Sequence, residues 1–115
     1  MNFINRGVLI LKPKTPFVEW VRYSRDANVD LTAEEVSSDP TAYLTLEFEG
    51  DDDLREFLAQ NHSMLFEHEL VEWTQDEEEW PVKRDFDTFQ EWFEVEFHSM
   101  VLDLLEEEIE AEAEI

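Results

Sequence analysis

Asp85 to Glu107, DFDTFQEWFEVEFHSMVLDLLEE, is the stretch on whose reading the fold turns. Phe86, Phe89, Phe93, Phe97, Met100 and Leu104 stand 3, 4, 4, 3 and 4 residues apart, which is the spacing of one helix face. Asp85 can cap such a helix through its carboxylate. The spacing predicts a last helix running to about Glu107. Trp92, Val95 and Leu102, with Ser99 in line, make a second apolar stripe, roughly 90° or more from the first at about 100° per residue. A helix apolar on two sides is sandwiched in its own domain or meets a partner, so Trp92, Val95 and Leu102 are the candidate interface.

The same helix would align Asp87, Glu91, Glu94 and His98 at i, i+4, i+7 and i+11. Carboxylates and an imidazole suit a divalent metal, so Glu91, Glu94 and His98 are metal candidates. A solvated acidic face with a Glu94–His98 pair explains the alignment more simply. Neither H-E-x-x-H nor E-x-x-H occurs.

Upstream, Thr74 to Glu79 is an acidic connection, and Trp80-Pro81 stops any helix, because a residue before proline is biased away from α. Before it, Asp52 to about Trp73 reads as a long helix, opened by Gly50 and by Asp51, Asp52 and Asp53, whose charge complements the exposed amides. Its apolar residues cover several faces, which implies more than one packing neighbour. His62 and His68, with Glu67 and Glu69, lie on it. Six residues apart, the two histidines point in different directions and cannot chelate one ion unaided. They read as partly exposed helix histidines, with a three-histidine site between helices left open.

Residues 42–48, AYLTLEF, alternate, with Ala42, Leu44, Leu46 and Phe48 on one face of a half-buried strand. Thr32 and Glu35 match a capping box for a short helix that ends before Pro40. Ile4 to Lys12, INRGVLILK, reads as a buried strand stopped by Pro13. Thr15-Pro16 then starts a helix, with Phe17, Trp20, Val21 and Ser24 on one face and an end near Arg25.

The expected fold is α+β, in the order β–α–(short α)–β–α–α. Three main helices would pack a small two-stranded sheet. Two strands alone are marginal, so close helix cover or extension of the sheet across a dimer is implied. The segment between the strands is long enough for a parallel crossover.

The chain has 115 residues, enough for one domain. We read residues 1–105 as that domain and 106–115, which hold six acids and no base, as an acidic tail that frays. With nine Phe and four Trp, a core is possible without disulfides, and none can form, because there is no cysteine. No apolar run matches a signal peptide or a membrane span, so the default location is cytoplasmic.

Charge is strongly partitioned. Arg6, Lys12, Lys14, Arg22 and Arg25 face only Glu19 in the first 25 residues, a balance of +4, whereas the remainder carries −27 and the whole −23. Such a balance opposes direct binding to nucleic acid or an anionic membrane and favours a basic partner. The N-terminal bases read as counter-ions for the acidic remainder, within the fold or across a dimer. With two glycines, Gly7 and Gly50, no dinucleotide or Walker loop is possible, and no G-x-S-x-G elbow occurs. Asp51 to Asp53 lack the pattern of a calcium loop.

KPKTPFVEW (12–20) and WPVKRDFDTFQEWFEVEFHSMVLDL (80–104) resemble a family of short bacterial proteins with no assigned activity. The resemblance implies a bacterial cytoplasmic single domain and carries no site residues. The leading expectation is a non-enzymatic, acidic protein-interaction module with a basic protein partner. The alternatives are a metal-binding protein or metalloenzyme built on His98 with Glu94 and Glu91, and a structural homodimer whose charge serves solubility. No cofactor or small-molecule ligand is inferred.

Overall fold

The computed structural model describes residues 1–23 and 30–114. Mixed helix and strand build the chain: β1 (Asn2–Phe3), β2 (Gly7–Pro13), α1 (Thr15–Tyr23), α2 (Ala33–Ser37), β3 (Ala42–Thr45), α3 (Asp51–Val71), α4 (Phe86–Trp92), β4 (Phe93–His98) and β5 (Leu102–Asp103). A 3-10 turn, Glu77–Glu79, joins α3 to α4. The expected end of α1 at Ser24 and Arg25 falls outside the described residues.

The expected last helix is cut short. α4 covers Phe86–Trp92, and from Phe93 the backbone is extended. Phe93-Glu94-Val95-Glu96-Phe97-His98 alternates, so Phe93, Val95 and Phe97 face the core while Glu94, Glu96 and His98 face outward. Residues four apart share a face in a helix and in a strand alike, so Phe93 and Phe97 fit both readings. Val95, two residues from each, joins that face only in a strand.

That strand supplies the third member of a sheet ordered β3-β2-β4. Both pairings are antiparallel, Gly7↔Thr45 to Ile10↔Ala42 on one side and Val8↔His98 to Pro13↔Phe93 on the other. The expected pair of strands, with its possible parallel crossover, is therefore corrected to an antiparallel three-stranded sheet. A second, two-stranded sheet pairs β1 with β5, Phe3↔Leu102 and Asn2↔Asp103. Between Phe3↔Leu102 and Val8↔His98, five steps on one strand oppose four on the other. One extra residue is accommodated between the two pairings, as in a β-bulge.

Alternation along β2 turns Leu9 and Leu11 into the core and leaves Val8, Ile10 and Lys12 on the outer face. Helices α1 and α2 pack on β2, α4 adjoins β4, and α3 packs on α4. Phe17, Phe66 and Phe89 are fully buried with Leu9, Leu11 and Leu70. Phe93 is the hub of the aromatic cluster, its ring centroid 4.9 Å from Phe17 and 5.4 Å from both Phe66 and Phe89. Each such side chain contributes about 1.5–3 kcal/mol of burial free energy.

The expected buried face of β3 is reversed. Tyr43 and Thr45 point inward, whereas Ala42 and Leu44 lie on the outer face opposite Ile10 and Val8. Leu46, past the strand, is exposed, and Phe48 turns in against Phe57 and Phe97 at 5.2 and 5.3 Å.

Two cap expectations match the structure, and the acidic start of α3 does too, although its N-cap Gly50 makes no side-chain cap bond. Thr32 Oγ1 accepts from the amide of Glu35 at 3.1 Å, as in a capping box. Asp85 accepts from the amide of Thr88 at 2.8 Å and from its hydroxyl at 2.6 Å. Asp51, Asp52 and Asp53 occupy the first turn of α3. Among the described residues, no helix is long and apolar enough to cross a membrane.

Candidate functional site

A polar cluster forms where β3 faces the C-terminal half of α3. Strand alternation sends the Tyr43 side chain inward, and the last turn of α3 carries His68 and Glu69, with the C-cap Glu72 one turn on from His68. The Tyr43 hydroxyl donates a short hydrogen bond to Glu69 Oε2 and lies 2.8 Å from His68 Nδ1. A hydroxyl has one proton to give. With the hydroxyl proton directed at Glu69, the contact to His68 is made by Nδ1–H donating to the phenol oxygen. The opposite ring nitrogen, Nε2, lies 3.0 and 3.2 Å from the two carboxylate oxygens of Glu114 and 3.5 Å from Glu72 Oε1.

Glu69 is buried, at 7% exposure. Burial pushes its carboxyl above the ordinary range, partly offset by hydrogen bonds from Tyr43 and Thr41. Burial also raises the Tyr43 phenol, and the adjacent Glu69 carboxylate raises it further. An apolar hollow beside the cluster is lined by Ala42, Tyr43, Met64, Leu65, His68 and Glu114. His68, Glu72 and Glu114 are the described residues whose potential metal-ligand atoms lie within 4.8 Å of one another.

The residues singled out along the sequence are distributed differently. Glu91 ends up in α4, whereas Glu94 and His98 lie on the outer face of β4, two pleats or about 13 Å apart. Between them, Glu96 accepts from Lys12 Nζ at 2.9 Å and meets His98 Nε2 at 3.0 Å. The helical Glu91–Glu94–His98 stripe therefore does not exist. The second apolar stripe is dispersed as well. Trp92 packs in the core, 5.4 Å from Phe66 and 6.1 Å from Phe17, and Val95 also packs on the core, while Leu102 is 39% exposed on the outer ribbon. His62 turns back to the Ala59 carbonyl at 2.8 Å and lies beside Phe86.

His68 with Glu72 was legible as an i, i+4 pair. Tyr43, 25 residues upstream, and Glu114, 46 downstream, carry no local signal of their meeting.

Of the described N-terminal bases, Lys12 and Lys14 reach across to the C-terminal half, whereas Arg6 meets only its neighbour. Lys12 pairs with Glu96, Lys14 Nζ donates to the Gln90 carbonyl at 3.0 Å, and Arg6 donates to the Asn5 carbonyl at 2.9 Å. Arg84 donates to the Pro81 carbonyl and lies 5.7 Å over the Trp80 ring. Acids, in contrast, crowd the exterior: Asp51 to Asp53, Glu77 and Glu78, and the tail from Glu106 to Glu114 are exposed. Compared with family models, curated proteins and solved structures, the chain matches none.

Proposed function

We propose that this protein is a non-enzymatic interaction module whose acidic surface engages a basic protein partner. The observation that carries this reading is the fate of the bases: Lys12 and Lys14 are satisfied by Glu96 and by the Gln90 carbonyl, while the acidic runs point to solvent. The outward field is therefore negative, as the net charge of −23 requires. Such a field steers a cationic surface towards the protein and repels phosphate backbones.

The immobilised chain should capture a basic protein from lysate at low salt and release it as the ionic strength approaches 1 M, where screening acts over about 3 Å. The affinity of the purified pair should then fall steeply with salt. Absence of any basic partner at low salt, or capture that ignores salt, refutes the reading.

A second reading, self-association, is favoured by one feature. β3 is an edge strand whose Leu44 is 57% exposed on the outer face, next to Leu46 at 63%. Edge strands with aliphatic side chains pair readily with a second copy. Sedimentation of the wild type and of Leu44→Lys tests it: a strictly monomeric wild type removes this reading.

A further inference from the structure

We propose that His68, Glu72 and Glu114 form a binding site for a divalent transition-metal cation of the zinc class, which would clasp the C-terminal tail to α3. This inference is independent of the basic-partner reading.

Tyr43 directs its one hydroxyl proton at Glu69, so the arrangement that satisfies the His68 contact has the imidazole proton on Nδ1, directed at the phenol oxygen. In the neutral ring Nε2 is then a bare lone pair. It points at the carboxylates of Glu114 and Glu72, 3.0 and 3.5 Å away. Nε2 and the two carboxylates thus converge as three potential ligands, their atoms within 4.8 Å of one another. A proton on Nε2 or a metal ion would neutralise the group.

Spacing also fits the metal. Two ligands bonded at about 2.05 Å to a tetrahedral ion stand about 3.3 Å apart. The distances from Nε2 to the two carboxylates bracket that value. The Tyr43–Glu69 relay supplies what metal-bound histidines ordinarily have, an oxygen acceptor on the other ring nitrogen that sets the tautomer and the ring angle. That relay is anchored by a buried carboxylate, so the ring is held before any ion arrives. One imidazole and two carboxylates suit zinc and its neighbours better than magnesium or calcium, which favour all-oxygen shells. With three protein ligands, one position of a tetrahedron is left for water.

The test is zinc titration of the metal-free full chain by calorimetry and thermal shift, with magnesium and calcium as comparisons. The expected result is one saturable zinc site, a zinc-dependent rise in Tm, and protection of residues 106–114 from protease. Glu114→Gln lies on the exposed tail and leaves the core alone, so loss of zinc affinity in it cannot be ascribed to misfolding. It should weaken zinc by about tenfold or more, His68→Ala should abolish the site, and Tyr43→Phe should weaken it about 10–100-fold. His98→Ala should bind as the wild type does. Absence of saturable zinc binding means a proton alone bridges the cluster and overturns the proposal. So does zinc affinity unchanged in Glu114→Gln and His68→Ala, or magnesium binding as tightly as zinc, because either identifies diffuse attraction to the acidic surface.

Discussion

Lys12 Nζ lies 2.9 Å from Oε1 of Glu96, across the antiparallel pair that β2 makes with β4. The two side chains stand on the outer face of the sheet, where Lys12↔Glu94 and Ile10↔Glu96 are cross-strand neighbours. The contact ties the basic N-terminal segment to the acidic remainder, so part of the charge partition is used to fix strand register. Both side chains are largely in solvent, so the pair adds little net stability.

Its signature is a titration. The Lys12 hydrogen bond, followed by that of His98, holds the Glu96 carboxyl below its ordinary value. A folded-state pKa below the unfolded one means a stabilising contribution that is present above the usual carboxylate range and lost as pH falls through the folded value. Lys12→Met should therefore move the Glu96 midpoint upward in a carboxyl NMR titration and reduce the acid-dependent part of the stability curve. A Glu96 midpoint indifferent to the substitution would show the pair to be unformed in solution.

Gly7 has a steric reason to lack a side chain. A Cβ there would stand 2.5 Å from Cε1 and 2.8 Å from Cζ of Phe97, and 3.0 Å from the Leu46 carbonyl oxygen. The Phe97 ring is itself braced by Phe48 at 5.3 Å, so it cannot yield freely. Gly7→Ala should destabilise the protein by about 1–3 kcal/mol, the usual cost of overpacking. Gly50, whose Cβ would meet nothing within 4 Å, is the control. Denaturant melts of the two variants should separate clearly.

Apolar identity alone does not predict cost, as two residues show. Phe66 is fully buried among Phe89, Trp92 and Phe93, whereas Val82 is 99% exposed. Phe66→Ala should cost about 3–5 kcal/mol, and Val82→Ala should stay within about 0.5 kcal/mol. Equilibrium unfolding with an unchanged slope would check both.

These contrasts explain which parts of the fold were legible. Caps depend on one or two neighbouring side chains, so Thr32 and Asp85 could be read locally, as could the acidic first turn of α3. From β2 to α3 the element order is the expected one, with β1 an additional strand before it. Phe93 to His98 was ambiguous because phenylalanines four apart satisfy helix and strand alike, and only tertiary pairing with β2 selects the strand. β3 offered two plausible faces. The structure turns the tyrosine inward because its hydroxyl finds Glu69 and His68 there, and the aliphatic side chains pair with Val8 and Ile10 outside. The candidate site was half visible, as the His68–Glu72 spacing. Its other half depends on chain closure over long separations, which no local pattern encodes.

Tyr43 offers the sharpest test of the polar cluster as a structural element. Its hydroxyl serves a buried carboxylate on one side and an imidazole on the other. Removing one member of a buried hydrogen-bonded pair leaves the other desolvated, whereas replacing both by apolar groups of similar size can be nearly neutral. Tyr43→Phe should therefore lower stability by about 1–3 kcal/mol. Tyr43→Phe combined with Glu69→Met should recover part of that loss, because no charged group then remains buried at the site. A double-mutant cycle by urea unfolding measures the coupling. Strict additivity of the two substitutions would mean that Tyr43 and Glu69 do not act on each other, and that the relay which orients His68 is absent.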